Sequence, residues 1–161
     1  MATVGGGVGA AIDPISVACE MERRGIAIYR RAIRIASDDR QRALLQRLLG
    51  EEESHFDYFE LLRGNSAIIN QSDDVSSALA SAIAAEAYMP GGLMQMAEAF
   101  TSMDRLLEAA VQAEKDSITY YERMQDAYAD LCEQLSEIIS QERAHLAELL
   151  SWRSGAGNKD S

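Results

Sequence analysis

The sequence predicts an all-α fold, a four-helix bundle made of two helical hairpins joined by a long crossover. Three observations carry this. Four long stretches repeat apolar residues three and four positions apart, the spacing of one face of an α-helix. No stretch shows the strict alternation of a half-buried strand, and the 161 residues hold two prolines and 6% aromatics, which disfavours a sandwich or barrel. The four stretches also form two pairs with short internal connections, separated by residues 65–101. Short connections make antiparallel neighbours, and a long one lets the second pair pack in a different sense from an up-down-up-down chain.

Residues 1–12 (MATVGGGVGAAI) are glycine-rich and read as a flexible arm. Asp13-Pro14 starts the first helix, with Asp as cap and Pro at the first helical position. It runs to about Ala36 and carries Ala18, Cys19, Gly25, Ile26, Tyr29 and Ile33 on one face. Ser37-Asp38-Asp39 offers a stop and a new cap. The second helix spans about Asp39 to Arg63, and Gly64 ends it at a position that favours a left-handed residue. Residues 65–73 read as loop. An alanine-rich helix is expected over 74–88, broken by Met89-Pro90-Gly91-Gly92, with a helical turn over 93–100. Ser102 caps a third long helix to about Ala127, and a fourth spans about Asp130 to Trp152. The bundle therefore occupies 13–153, and the tail 154–161 reads as disordered.

Composition narrows the function. Hydrophobic residues make up 47% and charged residues 25%, an ordinary globular balance. Acidic residues outnumber basic ones 26 to 15, for a net charge of −11, which argues against nucleic acid or an anionic membrane as partner. No run approaches a transmembrane helix, and the amino-terminal segment lacks the basic and apolar blocks of a signal peptide. Two cysteines, Cys19 and Cys132, make neither a disulfide framework nor a four-cysteine metal site. They read as small buried hydrophobes in a cytoplasmic protein. The methionines at 89, 94, 96 and 103 read as packing near the crossover.

There are only two histidines, and both stand three residues after a glutamate: Glu52-x-x-His55 and Glu142-x-x-His145. Spacing of three puts both side chains on one helix face. A carboxylate and an imidazole on one face form half a site for a divalent transition metal. The preceding helices repeat too. Glu22 precedes Tyr29 by seven residues, as Glu114 precedes Tyr121. Each hairpin is thus a helix carrying Glu and Tyr followed by a helix carrying Glu-x-x-His.

All four glutamates sit on apolar stripes. Glu22 has Ala18, Cys19, Gly25, Ile26 and Tyr29 as helical neighbours, and Glu52 has Leu48, Leu49, His55, Phe56 and Phe59. Glu114 has Ala110, Val111, Ser117, Ile118 and Tyr121, and Glu142 has Ile138, Ile139, His145, Leu146 and Leu149. An unpaired charge there is prohibitively costly. Glu20, beside Arg23 and Arg24, reads as a surface ion-pair residue, and Glu51 and Glu53 are set aside because His55 selects Glu52. Four carboxylates and two neutral imidazoles balance two divalent metals. Tyr29 and Tyr121 read either as core aromatics or as hydrogen-bond donors to a ligand carboxylate.

The set Glu22, Glu52-x-x-His55, Glu114 and Glu142-x-x-His145 resembles the di-iron ligand set of the ferritin-like superfamily. The wording MERRGIAIYRRA, EEESHFDYFELL and EKDSITYYERM is most similar to the rubrerythrin branch, over residues 14–153. The resemblance implies Glu52 and Glu142 as bridging carboxylates, Glu22 and Glu114 as terminal ones, and His55 and His145 on one iron each. It implies that Tyr29 and Tyr121 hydrogen-bond ligand carboxylates. The implied activity is reduction of hydrogen peroxide or dioxygen, with electrons from an external donor such as a rubredoxin-like protein. Ferritin-like ferroxidase or iron-handling action is an alternative, as is a non-enzymatic bundle holding zinc or manganese. A homodimer is expected. The chain departs from rubrerythrins in lacking paired Cys-x-x-Cys motifs, and in placing Ser117 where they carry an extra Glu one turn after the third-helix ligand. The site is therefore expected to be closer to two-fold symmetric.

Overall fold

A computed structural model of the chain describes residues 13–65 and 97–156. Helix α1 spans Pro14–Ile35. The Asp13 carboxylate accepts from the Ile15 amide at 3.0 Å and the Ser16 hydroxyl at 2.9 Å, which ties down donors that have no partner within the helix. Ala36 leaves the helix in extended conformation, and its carbonyl accepts from Arg42 at 2.7 Å. Asp38 then caps α2, Asp39–Arg63, by accepting from the Arg40 amide at 2.8 Å. Ser102 caps α3, Met103–Ala127. A 3-10 turn at Ala129–Leu131 leads into α4, Cys132–Ala156.

Three details differ from the sequence expectation. Gly64 is right-handed, at φ −72° and ψ −9°, because the chain closes with a tight bond from the Asn65 amide to the Leu62 carbonyl (2.9 Å) and needs no left-handed residue. Helix α4 runs past Trp152 to Ala156, so residues 154–156 belong to the helix rather than the tail, and the Ser154 hydroxyl bonds back to the Leu150 carbonyl. Cys132 is exposed at the first turn of α4, whereas Cys19 is buried as expected. The helical turn expected over 93–100 is seen at residues 97–99. The arm 1–12, the alanine-rich helix over 74–88, residues 93–96 and the tail beyond 156 lie outside the described residues.

The described residues are mostly helical and include no strand, and the four long helices pack together, α1 on α2 and on α3, and α3 on α4. Cross-helix contacts give the directions. Between α1 and α2, Arg30 meets Glu53 while Arg42 reaches back to Ala36, so these helices run antiparallel. Between α1 and α3, Tyr120 donates to the Pro14 carbonyl at 2.7 Å and Arg24 pairs with Asp116 at 2.7 Å, again antiparallel. Helices α2 and α4 face each other across the remaining side through Arg47–Glu148 at one end and His55–Gln141 further along.

The apolar interior divides into two clusters. One joins Ile15, Ala18 and Cys19 with Phe59, Tyr121, Leu135 and Ile139. The other joins Ile28, Ala32, Leu45 and Leu48 with Leu106, Ala110 and Leu149. Each such large side chain contributes about 1.5–3 kcal/mol on burial. Between the clusters, near mid-height of all four helices, lies a layer of buried acidic and histidine side chains. No helix among the described residues is long and apolar enough to cross a membrane.

Asp13→Ala removes the cap of α1 without touching this layer. Urea denaturation is expected to show a loss of about 1 kcal/mol, with unchanged metal uptake.

Candidate metal centre

The helical repeat places one glutamate at mid-length on each of four helices and one histidine a turn further on α2 and on α4. Packing turns all six inward. Glu22, Glu52, His55, Glu114, Glu142 and His145 are each at most 3% exposed. Their donor atoms form two groups, in each of which all atoms lie within 4.8 Å of one another. One group is Glu22, Glu52, His55 and Glu142; the other is Glu52, Glu114, Glu142 and His145. Glu52 and Glu142 belong to both. The structure thus brings all six sequence-predicted ligands together, in two overlapping sets.

Both histidines point Nδ1 inward. His55 Nδ1 lies 3.1 Å from Glu142 Oε1 and 3.7 Å from Glu22 Oε2. His145 Nδ1 lies 3.0 Å from Glu52 Oε1, 3.4 Å from Glu142 Oε2 and 3.6 Å from Glu114 Oε2. The rings face each other at 6.0 Å between centroids. Six of these inward atoms, Glu22 Oε2, Glu52 Oε1, both Glu142 oxygens and the two Nδ1 atoms, have no hydrogen bond of acceptable geometry. Buried polar atoms are almost always satisfied. A converging set of hard oxygens and imidazole nitrogens left unsatisfied fits divalent cations of the transition series, which take such ligands together.

Contacts around the cluster cross from one helix pair to the other. The Tyr29 hydroxyl on α1 donates to Glu114 Oε1 on α3, and the Tyr121 hydroxyl on α3 donates to Glu22 Oε1 on α1. Both tyrosines are buried, and both serve as carboxylate donors as well as core aromatics. On the outer side, His55 Nε2 donates to Gln141 Oε1 at 2.6 Å, and His145 Nε2 donates to Glu51 Oε2 at 2.6 Å.

Glu51, Gln141 and Gly25 matter here and were not singled out for it by sequence. Glu51 is not in either ligand group, in keeping with its being set aside, yet it holds the outer nitrogen of His145. A signal existed: Glu51 and Gln141 each stand directly before the ligand glutamate of their repeat, a step that turns the side chain toward the facing helix. Gly25 packs under Glu52, and a Cβ there would lie 2.5 Å from Glu52 Oε2 and 3.2 Å from its carboxyl carbon. A side chain at this position requires the Glu52 carboxylate to move.

Electrostatics express the crowding. Burial, reinforced by Glu142, Glu22 and Glu114, pushes the Glu52 carboxyl well above its usual range, and burial with Glu142 raises Glu22. Burial and the contact with Glu142 raise Glu114 to about 8. Burial works against charge on Glu142 too, but its contacts with Glu114, His145 and His55 outweigh it, and its carboxyl is held below the usual range. Burial also opposes charge on His55, yet its contacts with Glu142 and Glu22 raise it to about 11, and His145 is raised in the same way by Glu114, Glu142 and Glu52. Without metal, the cluster approaches neutrality by holding protons. Partial burial opposes charge on Glu51, but hydrogen bonds with His145 and Arg47 keep its carboxyl below the usual value.

No protein-family model, curated protein or solved structure matches this chain.

Two outcomes are expected of this layer. Gly25→Ala should displace Glu52 and weaken divalent-metal binding, read by calorimetric titration, while the α-helical circular dichroism of the chain is kept. A raised folded-state pKa contributes stability that is complete below the ordinary value and lost as pH rises through the raised one. For Glu114 that window runs from 4.5 to about 8, and for His55 from 6.5 to about 11. Urea midpoints of the metal-free chain should therefore fall as pH rises through these windows. Metal uptake should release protons and remove the fall.

Proposed function

We propose that the chain is a ferritin-like, rubrerythrin-like di-iron oxidoreductase that reduces hydrogen peroxide, or dioxygen, with electrons from an external donor. The observation that carries this reading is the pair of donor groups sharing Glu52 and Glu142, with unsatisfied oxygens and nitrogens converging between them. Glu52 and Glu142, shared by both groups, would hold two cations in one site, an arrangement suited to two-electron chemistry at one small oxidant. The helix directions support the family reading as well: α1 is antiparallel to both α2 and α3, so α2 and α3 run parallel and demand a long crossover.

In this centre Glu22 and His55 would serve one metal position, Glu114 and His145 the other, and Glu52 and Glu142 both. Reduction of one peroxide to two waters takes two electrons and two protons; two ferrous ions held by these residues would supply the electrons. The protein's own residues do the rest. Tyr29 and Tyr121 fix the outer oxygens of Glu114 and Glu22, so each terminal carboxylate turns its other oxygen inward. Gln141 and Glu51 hold the histidine protons on Nε2 and leave Nδ1 free to bind. The apolar clusters above and below exclude bulk water and strengthen every electrostatic contact in the layer. Ser117, buried beside Glu114, supplies no additional carboxylate, which favours a centre of fixed ligation. The electron donor in this reading is an external one such as a rubredoxin-like protein; Cys19 and Cys132 form no Cys-x-x-Cys motif.

The test begins with metal analysis of protein grown with ample iron, followed by peroxide turnover of the ferrous protein supplied with a reductant. Two irons per chain and catalytic peroxide loss are expected, and Glu52→Ala should abolish that loss. Turnover untouched by Glu52→Ala would reject this site. Iron oxidised once by dioxygen and retained, without peroxide turnover, would instead favour the ferroxidase reading. Zinc or manganese with no redox response would favour a structural role.

A further inference from the structure

The ligands of the two positions match pairwise, but their outer contacts do not. On one side the partner of His145 Nε2 is the Glu51 carboxylate, and on the other the partner of His55 Nε2 is the Gln141 amide, both at 2.6 Å. These two residues occupy the same place in the repeat, one position before Glu52 and before Glu142. The sole chemical difference between them is a charge and a pair of N–H donors.

That difference acts on the metal-binding nitrogen in two ways. A carboxylate accepting from Nε2 pushes electron density toward Nδ1 and makes it a stronger ligand, whereas a neutral amide does so more weakly. A carboxylate is also acceptor-only, so Glu51 enforces the tautomer that leaves Nδ1 free. An amide can turn over and donate its NH₂ to Nε2, which would place the imidazole proton on Nδ1 and block the metal. Glu51 is moreover braced. Arg47 takes its Oε1 at 3.0 Å and also pairs with Glu148, leaving Oε2 aimed at His145. The brace lies at the surface, with Glu51 one-third exposed, while the imidazole it holds is fully buried.

We propose that the two metal positions are unequal, and that Glu51 acts as a positioning residue that makes the position beside His145 and Glu114 fill before the one beside His55 and Glu22. This rests on the two-metal reading above. It adds an order of filling and assigns that order to one residue outside the ligand set.

The experiment uses the full chain crystallised with one equivalent of Co²⁺, with the anomalous signal of cobalt giving the occupancy of each position. Crystal occupancies are needed because bridging carboxylates can separate two binding steps in solution even when the positions are identical. Partners of metal-bound histidines typically change affinity by about 10–100-fold. For exchange of a carboxylate for an amide, an occupancy ratio of roughly tenfold in favour of the His145 position is expected. Glu51→Gln should bring the two positions to parity. Gln141→Glu should do so as well, by strengthening the other side while leaving Arg47 and Glu51 untouched. The exchanged double variant Glu51→Gln/Gln141→Glu should reverse the preference, an outcome that a merely structural role for Glu51 does not produce. Equal occupancies in the unaltered chain, or a preference that survives Glu51→Gln, overturn the inference while leaving the two-metal reading intact. Cobalt absent from both positions overturns the two together.

Discussion

Four carboxylates and two imidazoles share one dehydrated layer in the middle of this protein, and the rest of the structure is organised around the cost of putting them there. Carboxylates crowded away from water repel one another and forfeit their hydration. Two tyrosine hydroxyls, a glutamine and a peripheral glutamate satisfy the outward-facing atoms. The inward-facing ones are left to protons or to cations. The displaced pKa values of Glu52, Glu114 and His55 are three expressions of that single constraint, and so is the close approach of the Glu52 carboxylate to Gly25.

The layer is divided between the two helix pairs so that neither completes it alone. Tyr29 serves a glutamate of the other pair, and Tyr121 returns the contact. His145 lies against Glu52 and Glu51 of α2, and His55 against Glu142 and Gln141 of α4. Assembly of the helix pairs and assembly of the site are therefore one event, so a cation held there would couple its binding to folding. The apolar clusters at the two ends supply the driving force that this polar layer lacks.

Much of this was legible in the chain because helical periodicity is a local property. The caps at Asp13 and Ser102, the span of α2, and the inward face of each glutamate follow from residues within a turn or two of one another. The repeat added long-range information, since two Glu-x-x-His segments on separate helices have a physical reason to meet. Local rules misled where a neighbour decided. Gly64 was free to be left-handed but closes a tighter turn, and Cys132 lies on the outward side of α4 although cysteine is usually buried.

Sequence by itself determined the helical class, the six inward polar residues and the need to neutralise them, because these depend on residue type and a spacing of three or four. Only the tertiary structure decided which atoms meet. It joined Tyr29 to Glu114 rather than to its own helix's Glu22, gave Glu52 and Glu142 to both donor groups, and set Glu51 and Gln141 behind the histidines of the opposite pair. The reason is geometric: a helix dictates the direction in which a side chain leaves it, but the distance and rotation of the facing helix determine what that side chain finds.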